Sequence, residues 1–238
     1  MIEAESTDEP PVRADRLLES IGIPDLSLAR AWMCSRLAAA GVSTDLVRAM
    51  RRVPREAFAP GRWRVAYTEL DIWTPTGWLL AAPTIARVID GLNPDWHEVC
   101  EFGTGPGYQT AILACIGGAV VSVDHDPNLL SVARRRLDLL ELKAIQLVQA
   151  DFSAELPPRR FDALIINFAL SQPPLHLVSL LDKAGGIIAP IATSSGAQRL
   201  MRYDFAHGQY TEAVDLGPCR FPYPPPINQG RETSWPRA

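Results

Sequence analysis

One segment restricts the fold of this chain more than any other: EVCEFGTGPGYQTAILA, residues 98–114. A β-rich run ends at Phe102 and a helical run opens near Tyr108, so Gly103, Gly105 and Gly107 fall in the turn between them. Glycines at such a turn let the backbone reverse sharply and let a ligand approach the main chain closely. The next β-rich run, AVVSVD (119–124), ends in Asp124, 21 residues beyond Gly103. A carboxylate there is placed to accept hydrogen bonds from the two ribose hydroxyls of an adenosine. A glycine turn alone carries little; with its strand before and its acid after, it predicts the opening of a parallel sheet that holds a nucleoside.

The rest of the chain supports that sheet. Further β-rich runs occur at 144–151, 162–168 and 186–191, with helical stretches at 110–117, 128–142 and 174–184 between the strands. Alternation of this kind, with strands apolar enough to be covered on both faces, is the mark of a parallel sheet wrapped by helices. Two last runs, 198–205 and 209–217, flank a turn at His207-Gly208 and read as an antiparallel hairpin. The predicted fold is α/β: a doubly wound, Rossmann-like, mostly parallel seven-stranded sheet with an N-terminal helical extension. In that extension, Leu28, Ala31, Trp32, Leu37 and Ala38 give residues 26–41 a helical pattern, and Ser43 is a suitable N-cap for a second helix that ends at Pro54. Residues 60–83, with Pro60, Pro75, Pro83, Trp63, Tyr67, Trp73 and Trp78, read as a long loop, and such loops are commonly lids or binding segments.

Composition sets the margins of this picture. The chain has 238 residues, 47% hydrophobic, enough for a large core without a metal or disulfide staple. Cys34, Cys100, Cys115 and Cys219 are too widely spaced for a zinc motif, and no metal site is expected. Twenty-three basic against 27 acidic residues leave no overall footprint for nucleic acid or an anionic membrane. No run reaches 18 apolar residues and the N-terminus is acidic, so a cytoplasmic protein, monomer or homodimer, is expected. Six of the 21 prolines fall in 216–238. The organisation predicted is a disordered tail over 1–15, helices and a substrate-facing loop over 16–83, the cofactor-binding domain over 84–221 and a Pro-rich tail over 222–238.

The spacing of the glycines distinguishes among nucleoside cofactors. Dinucleotide enzymes use G-x-G-x-x-G, with a pyrophosphate at the helix N-terminus; this chain has G-x-G-x-G preceded by Glu101. That acid repels a pyrophosphate and suits a cationic ammonium, which S-adenosylmethionine carries. Asp151, after the third strand, is placed to accept from an adenine amino group, or alternatively to cap a helix, and Phe152 to cover the ring. The predicted cofactor site comprises Glu101, Phe102, Gly103, Thr104, Gly105, Gly107, Tyr108, Asp124, Asp151 and Phe152.

These residues, with others in the same order, resemble the protein-L-isoaspartate O-methyltransferase family. The likeness runs from about Arg30 to Phe221. RAWMCSRLAAAGVSTDLVRAMRRVPREAFAP resembles the family's N-terminal helices ending in V-P-R-E-x-F, and AYTELDIW its A-Y-x-D segment. EFGTGPGYQTA resembles the cofactor loop, FDALIIN and AGGIIAPI the fourth and fifth strands, and LGPCRF the last. The resemblance implies a class I methyltransferase that uses S-adenosylmethionine, releases S-adenosylhomocysteine and esterifies an abnormal aspartyl carboxylate on peptides and proteins. One departure stands out. The family has threonine-isoleucine-serine just before the proline matching Pro83, and its serine is associated with activity; here the segment is Leu79-Leu80-Ala81-Ala82. No catalytic residue is assigned, and Trp78, Leu80, Ala81 and Asn167 are taken as substrate-facing.

The chemistry agrees with a carboxylate acceptor, which is already ionised at pH 7 and needs placement and exclusion of water rather than a base. Alcohol methylation normally uses a positioned base, which His97, His125, His176 and His207 do not evidently supply. An amine acceptor is disfavoured because Pro173 and Pro174 lie too far past Asn167. Arg48, Arg51, Arg52, Arg55, Arg62 and Arg64 form a basic cluster: either a solvated surface or, since Arg pairs well with carboxylates, a patch for an acidic peptide. The reading is methyl transfer to a carboxylate of a peptide or protein, for example in tailoring a ribosomal peptide product. The alternatives are isoaspartyl repair, a small-molecule N- or O-methyltransferase and an inactive cofactor-binding module.

Overall fold

The computed structural model describes residues 12–92, 96–152 and 159–223. Most of the two tails expected at the chain ends lies outside the described residues. The helical extension holds α1 (Ala14–Ile21), α2 (Ser27–Ala39) and α3 (Thr44–Arg52). A small antiparallel hairpin, β1 (Ile72–Thr74) and β2 (Gly77–Leu79), then leads into α4 (Ala82–Asp90). The main sheet follows with β3 (Glu98–Phe102), α5 (Tyr108–Ile116), β4 (Ala119–Asp124), α6 (Pro127–Leu139), β5 (Ile145–Gln149) and β6 (Phe161–Ile166). It closes with β7 (Leu181–Ala192), β8 (Gln198–Ala206) and β9 (Gln209–Cys219).

The seven strands run in the order β5-β4-β3-β6-β7-β8-β9. Strands β3 to β7 are parallel, and β8 and β9 add antiparallel pairs at one edge. The chain steps outward from β3 to one side through β4 and β5, then returns to its other side with β6. That reversal opens a crevice at the C-terminal ends of β3 and β6, where ligands collect in open sheets of this kind. The alternation of strand side chains explains why both faces are buried. Val99, Val120, Ala163, Ile165 and Ile188 join one apolar cluster with α5 and the N-terminal helices, while Cys100, Phe102, Val121, Leu164 and Ile187 join the other.

Three elements differ from the sequence expectations. The stretch 174–184 is not a helix: a 3-10 segment, Leu175–Leu180, runs directly into β7, which begins at Leu181 rather than 186. Pro173 and Pro174 set this up, since their carbonyls accept from Leu175 and Leu177, and burial of Leu177 and Leu180 satisfies a three-residue period. Gly185 and Gly186 then extend the strand; a side chain at Gly185 would come within 2.8 Å of the Asp162 carbonyl.

Helix α2 buries Leu37 as its apolar pattern suggests but leaves Leu28 and Trp32 outside the core and buries Arg30. Leu28 is 87% and Trp32 56% exposed, while Arg30, Met33, Cys34 and Leu37 are buried. Arg30 decides this orientation. Its guanidinium donates to Glu56 at 2.8 Å and to the Tyr67 hydroxyl at 2.9 Å, and that hydroxyl in turn donates to Glu56. A buried charge is tolerable when paired and hydrogen-bonded.

The expected loop over 60–83 is more ordered than predicted, since it holds the β1–β2 hairpin and the first turn of α4. Arg55 anchors it from below. Fully buried, Arg55 donates from Nε to the Ala66 carbonyl at 2.7 Å and from Nη2 to the Leu80 carbonyl at 2.6 Å, gripping both ends of the segment that carries the hairpin. Arg55 therefore does not belong to a surface patch with the other arginines of its cluster.

Candidate active site

The glycine turn sits at the crevice between β4 and β6. Gly103, Gly105 and Gly107 have φ of 95°, 50° and 90°, a region that side chains other than glycine's seldom occupy. Two of them are also tight. A Cβ on Gly103 would lie 3.1 Å from Cβ of Asn167, and one on Gly107 the same distance from Cβ of Ala133 on α6.

Asp124, at the end of β4, is buried beside this turn. One carboxylate oxygen accepts from the Gly105 amide at 3.0 Å and the other from the Asp126 amide at 3.1 Å. His125 Nδ1 lies 3.2 Å from the same carboxylate, and this contact raises the imidazole pKa above its ordinary value. Asp124 thus presents a fixed carboxylate at the position foreseen for a ribose acid.

A cavity of about 470 Å³ opens over the turn. Of the sequence-predicted residues, Phe102, Gly103, Thr104, Gly105, Tyr108, Asp124, Asp151, Phe152, Asn167, Trp78 and Leu80 line it. Phe152 meets Phe102, Phe168 and His176 edge-on, with ring centroids 5.3, 4.9 and 5.3 Å away. With Val123, Leu129 and Ala150 they give the Asp151 end an apolar wall suited to a flat heterocycle.

Three predicted residues stand back from the cavity. Gly107 acts through the backbone that starts α5. Ala81 is the N-cap of α4, buried, with its amide donating to Asp71 at 2.7 Å and no side-chain cap. Glu101 is the main correction: its carboxylate is fully buried behind the turn rather than facing a ligand's ammonium. It accepts from Thr110, from Ser122 at 2.6 Å and from Asn167 Nδ2 at 3.1 Å. Burial pushes its pKa up to about 7, and those donors oppose the rise. Asn167 is likewise committed to structure: Nδ2 also donates to the Gly103 carbonyl at 3.0 Å, and Oδ1 accepts from Gln109 at 3.1 Å. Its amide holds the turn and is not available to a substrate.

A polar residue that the sequence reading missed is Gln109, on the first turn of α5. Gln109 lines the cavity, and its Oε1 is a buried acceptor with no partner among the described residues. An unsatisfied buried acceptor costs stability unless a donor arrives. Asp124 and Asp151, the acids expected to meet the ribose hydroxyls and the adenine amino group, both line the cavity, and the residues present fit S-adenosylmethionine. No sequence signal distinguishes Gln109 from any other polar residue in a first helical turn.

The acceptor end is built by two further elements. The β1–β2 hairpin leans on the glycine turn so closely that a Cβ on Gly77 would lie 3.5 Å from Gly105 Cα. Arg136 of α6 ties the two together, donating to the Pro106 carbonyl at 3.0 Å and to Thr76 Oγ1 at 3.4 Å. The hairpin carries Trp73 and Trp78, packed edge to face at 5.7 Å, and both line the cavity. From the other end of the chain come Pro222 and Tyr223. Gln198 positions them by gripping the Phe221 backbone, Oε1 accepting at 2.6 Å and Nε2 donating at 3.0 Å, and the Ala169 amide donates to the Pro222 carbonyl at 2.8 Å. None of the arginines from the 48–64 cluster reaches the cavity lining.

Comparison with known proteins agrees with this geometry. The family model described as protein-L-isoaspartate(D-aspartate) O-methyltransferase matches residues 30–223. A protein-L-isoaspartate O-methyltransferase of Azorhizobium caulinodans is 33% identical over 181 residues, covering 74% of this chain and 82% of its own. One from Methanoculleus marisnigri is 34% identical over 187 residues, covering 76% and 84%. Among solved structures, a protein-L-isoaspartate O-methyltransferase superposes with a TM-score of 0.74 at 21% identity, over 83% of this chain and 66% of that one. The Plasmodium falciparum beta-aspartate methyltransferase in complex with S-adenosyl-L-homocysteine superposes with a TM-score of 0.69 at 19% identity, over 82% and 97%. The shared fold, the motif order and the extent of these matches lead to one conclusion: the chain belongs to the protein-L-isoaspartate(D-aspartate) O-methyltransferase family.

Proposed function

We propose that the protein methylates a side-chain carboxylate of a peptide or protein, and that its acceptor is a dedicated peptide rather than damaged protein. When bound, S-adenosylmethionine supplies a methyl group that a carboxylate oxygen takes, the C–S pair remaining on sulfur and S-adenosylhomocysteine being released. No proton moves, and two opposite charges are neutralised. What this asks of the protein is placement and a dry environment.

The observation that carries the reading is the cavity's division. One end holds Asp124, Asp151 and the Gln109 side chain; the other is walled by Trp73, Trp78, Leu79, Leu80, Leu170 and Pro222, with no histidine or lysine among the described residues there to act as a base. A wall of this kind favours a step that consumes charge. It also excludes water, the competing occupant of the space beside the carboxylate.

The shift away from damaged protein rests on residue 81. The resemblance puts there a serine associated with activity, and this chain has alanine, whose amide serves Asp71. Incubation with methyl-labelled cofactor and matched aspartyl and isoaspartyl peptides tests the reading. A base-labile ester on the aspartyl peptide is expected, with none above background on the isoaspartyl one; efficient labelling of the isoaspartyl peptide would restore repair as the function.

A further inference from the structure

Two large aromatic side chains stand in water at the mouth of the cavity. Trp73 is 66% exposed and Tyr223 is 61% exposed, although both line the same cavity from elements 150 residues apart in sequence. Trp73 is held there directly, and Tyr223 only through the segment before it. Trp73 packs on Trp78, whose hairpin is fixed through Arg136 and Arg55, and Tyr223 follows the segment gripped by Gln198. Exposed apolar surface that is concentrated, rigid and continuous with a cavity marks a contact made with something else.

The charge around the cavity narrows what that something is. Among the described residues no Lys or Arg lines it, and Asp124 and Asp151 lie at the cofactor end beside His125. Among the described residues, an acidic residue next to the acceptor carboxylate meets no side-chain cation and adds a second negative charge beside it. A lysine there would have to shed its hydration against Leu80, Leu170 and Pro222. A neutral aromatic or branched apolar neighbour removes apolar area from water on both sides and leaves no charge unpaired.

We propose that the mouth is an aromatic subsite, and that the carboxylate to be methylated is flanked in its peptide by an aromatic or branched apolar residue packed against Trp73 and Tyr223. This inference rests on the reading of the protein as a peptide carboxyl methyltransferase.

The test uses the full chain with S-adenosylhomocysteine and ten-residue peptides bearing one aspartate flanked by phenylalanine, glycine, lysine or glutamate. Calorimetry measures binding, and labelled cofactor measures base-labile ester in parallel. The phenylalanine-flanked peptide is expected to bind at least tenfold tighter than the others. Trp73→Ala and Tyr223→Ala, both at exposed positions, are each expected to reduce that preference to threefold or less while leaving the affinity for S-adenosylhomocysteine intact. Equal binding across the series, a preference for glutamate or lysine, or a preference that survives both substitutions would overturn the inference. Ester formed equally on every peptide would sink the subsite and leave carboxyl methylation standing. Selective binding without base-labile ester on any peptide would uphold the subsite and sink carboxyl methylation.

Discussion

The residues that serve this site divide into those whose role is local and those whose role depends on contacts made far along the chain. Asp124 is of the first kind: an acid closing a β-rich run after a glycine turn can be assigned from spacing. Asp124→Ala is expected to weaken S-adenosylmethionine binding by about 1–3 kcal/mol, the scale for loss of a charged hydrogen-bond partner. Calorimetry checks this, and unchanged affinity would mean that the carboxylate serves only to hold Gly105. Gln109, Arg136 and Gln198 are of the second kind, because their partners lie tens of residues away and nothing nearby in sequence announces them. Glu101 shows how a correct position can carry a mistaken role, since the strand alternation that buries it is legible but its capture by Ser122, Thr110 and Asn167 is not. Ala81 gains a meaning that sequence alone does not supply. As the N-cap of α4, with Pro83 lacking an N–H and the Thr84 amide bonded only to the Ala81 carbonyl at 3.0 Å, it is a site where a hydroxyl improves the helix start. Ala81→Ser is therefore expected to stabilise the fold by about 1 kcal/mol in thermal or urea unfolding. A destabilised variant would show that the buried site has no room for the oxygen.

At the level of elements, strands covered on both faces are the most legible feature, because apolar residues outnumber polar ones in β3, β4 and β6 and turns bound them. Elements that depend on a single buried ion or on tight local geometry are not. Helix α2 rotates to bury Arg30, and the apolar run after Pro174 becomes a 3-10 segment because β7 starts too soon for a helix to form. The hairpin carried a signal in Ile-Trp-Thr and Gly-Trp-Leu flanking Pro75-Thr76, which its proline and tryptophan content caused to be read as loop. What the sequence did not reveal is how that hairpin is held. Arg55 grips the Ala66 and Leu80 carbonyls with two arms of one guanidinium, which lysine cannot reproduce. Arg55→Lys is expected to destabilise the protein by about 2–3 kcal/mol, the range for a lost charged hydrogen bond and an orphaned carbonyl. Cleavage within 66–80 in limited proteolysis is expected to become faster than elsewhere. Uniform sensitivity along the chain would argue that Arg55 supports the core rather than the hairpin.

For the molecule as a whole, the sheet order places a cofactor pocket at its switch point, and two ends of the chain converge to wall the acceptor side. The same arrangement buries an acid beneath the glycine turn, with consequences for stability. Glu101 in the folded protein holds its proton to about pH 7, against an ordinary value of 4.5. The folded state binds more protons than the unfolded one across that interval, so this group's contribution to stability is full below pH 4.5 and is lost as pH rises towards 7. Unfolding midpoints of the protein and of Glu101→Gln, followed from pH 5 to 8, are expected to draw together at the acidic end and to diverge in slope towards neutrality. Parallel curves would mean that the carboxylate is ionised throughout. The central claim concerns chemistry rather than stability: this cavity methylates a peptide carboxylate. Its most direct measurement is the lability of the product formed from methyl-labelled S-adenosylmethionine and an aspartyl peptide with aromatic neighbours. Release of the label as methanol in mild base is the result predicted, and a base-stable methyl group would contradict the account.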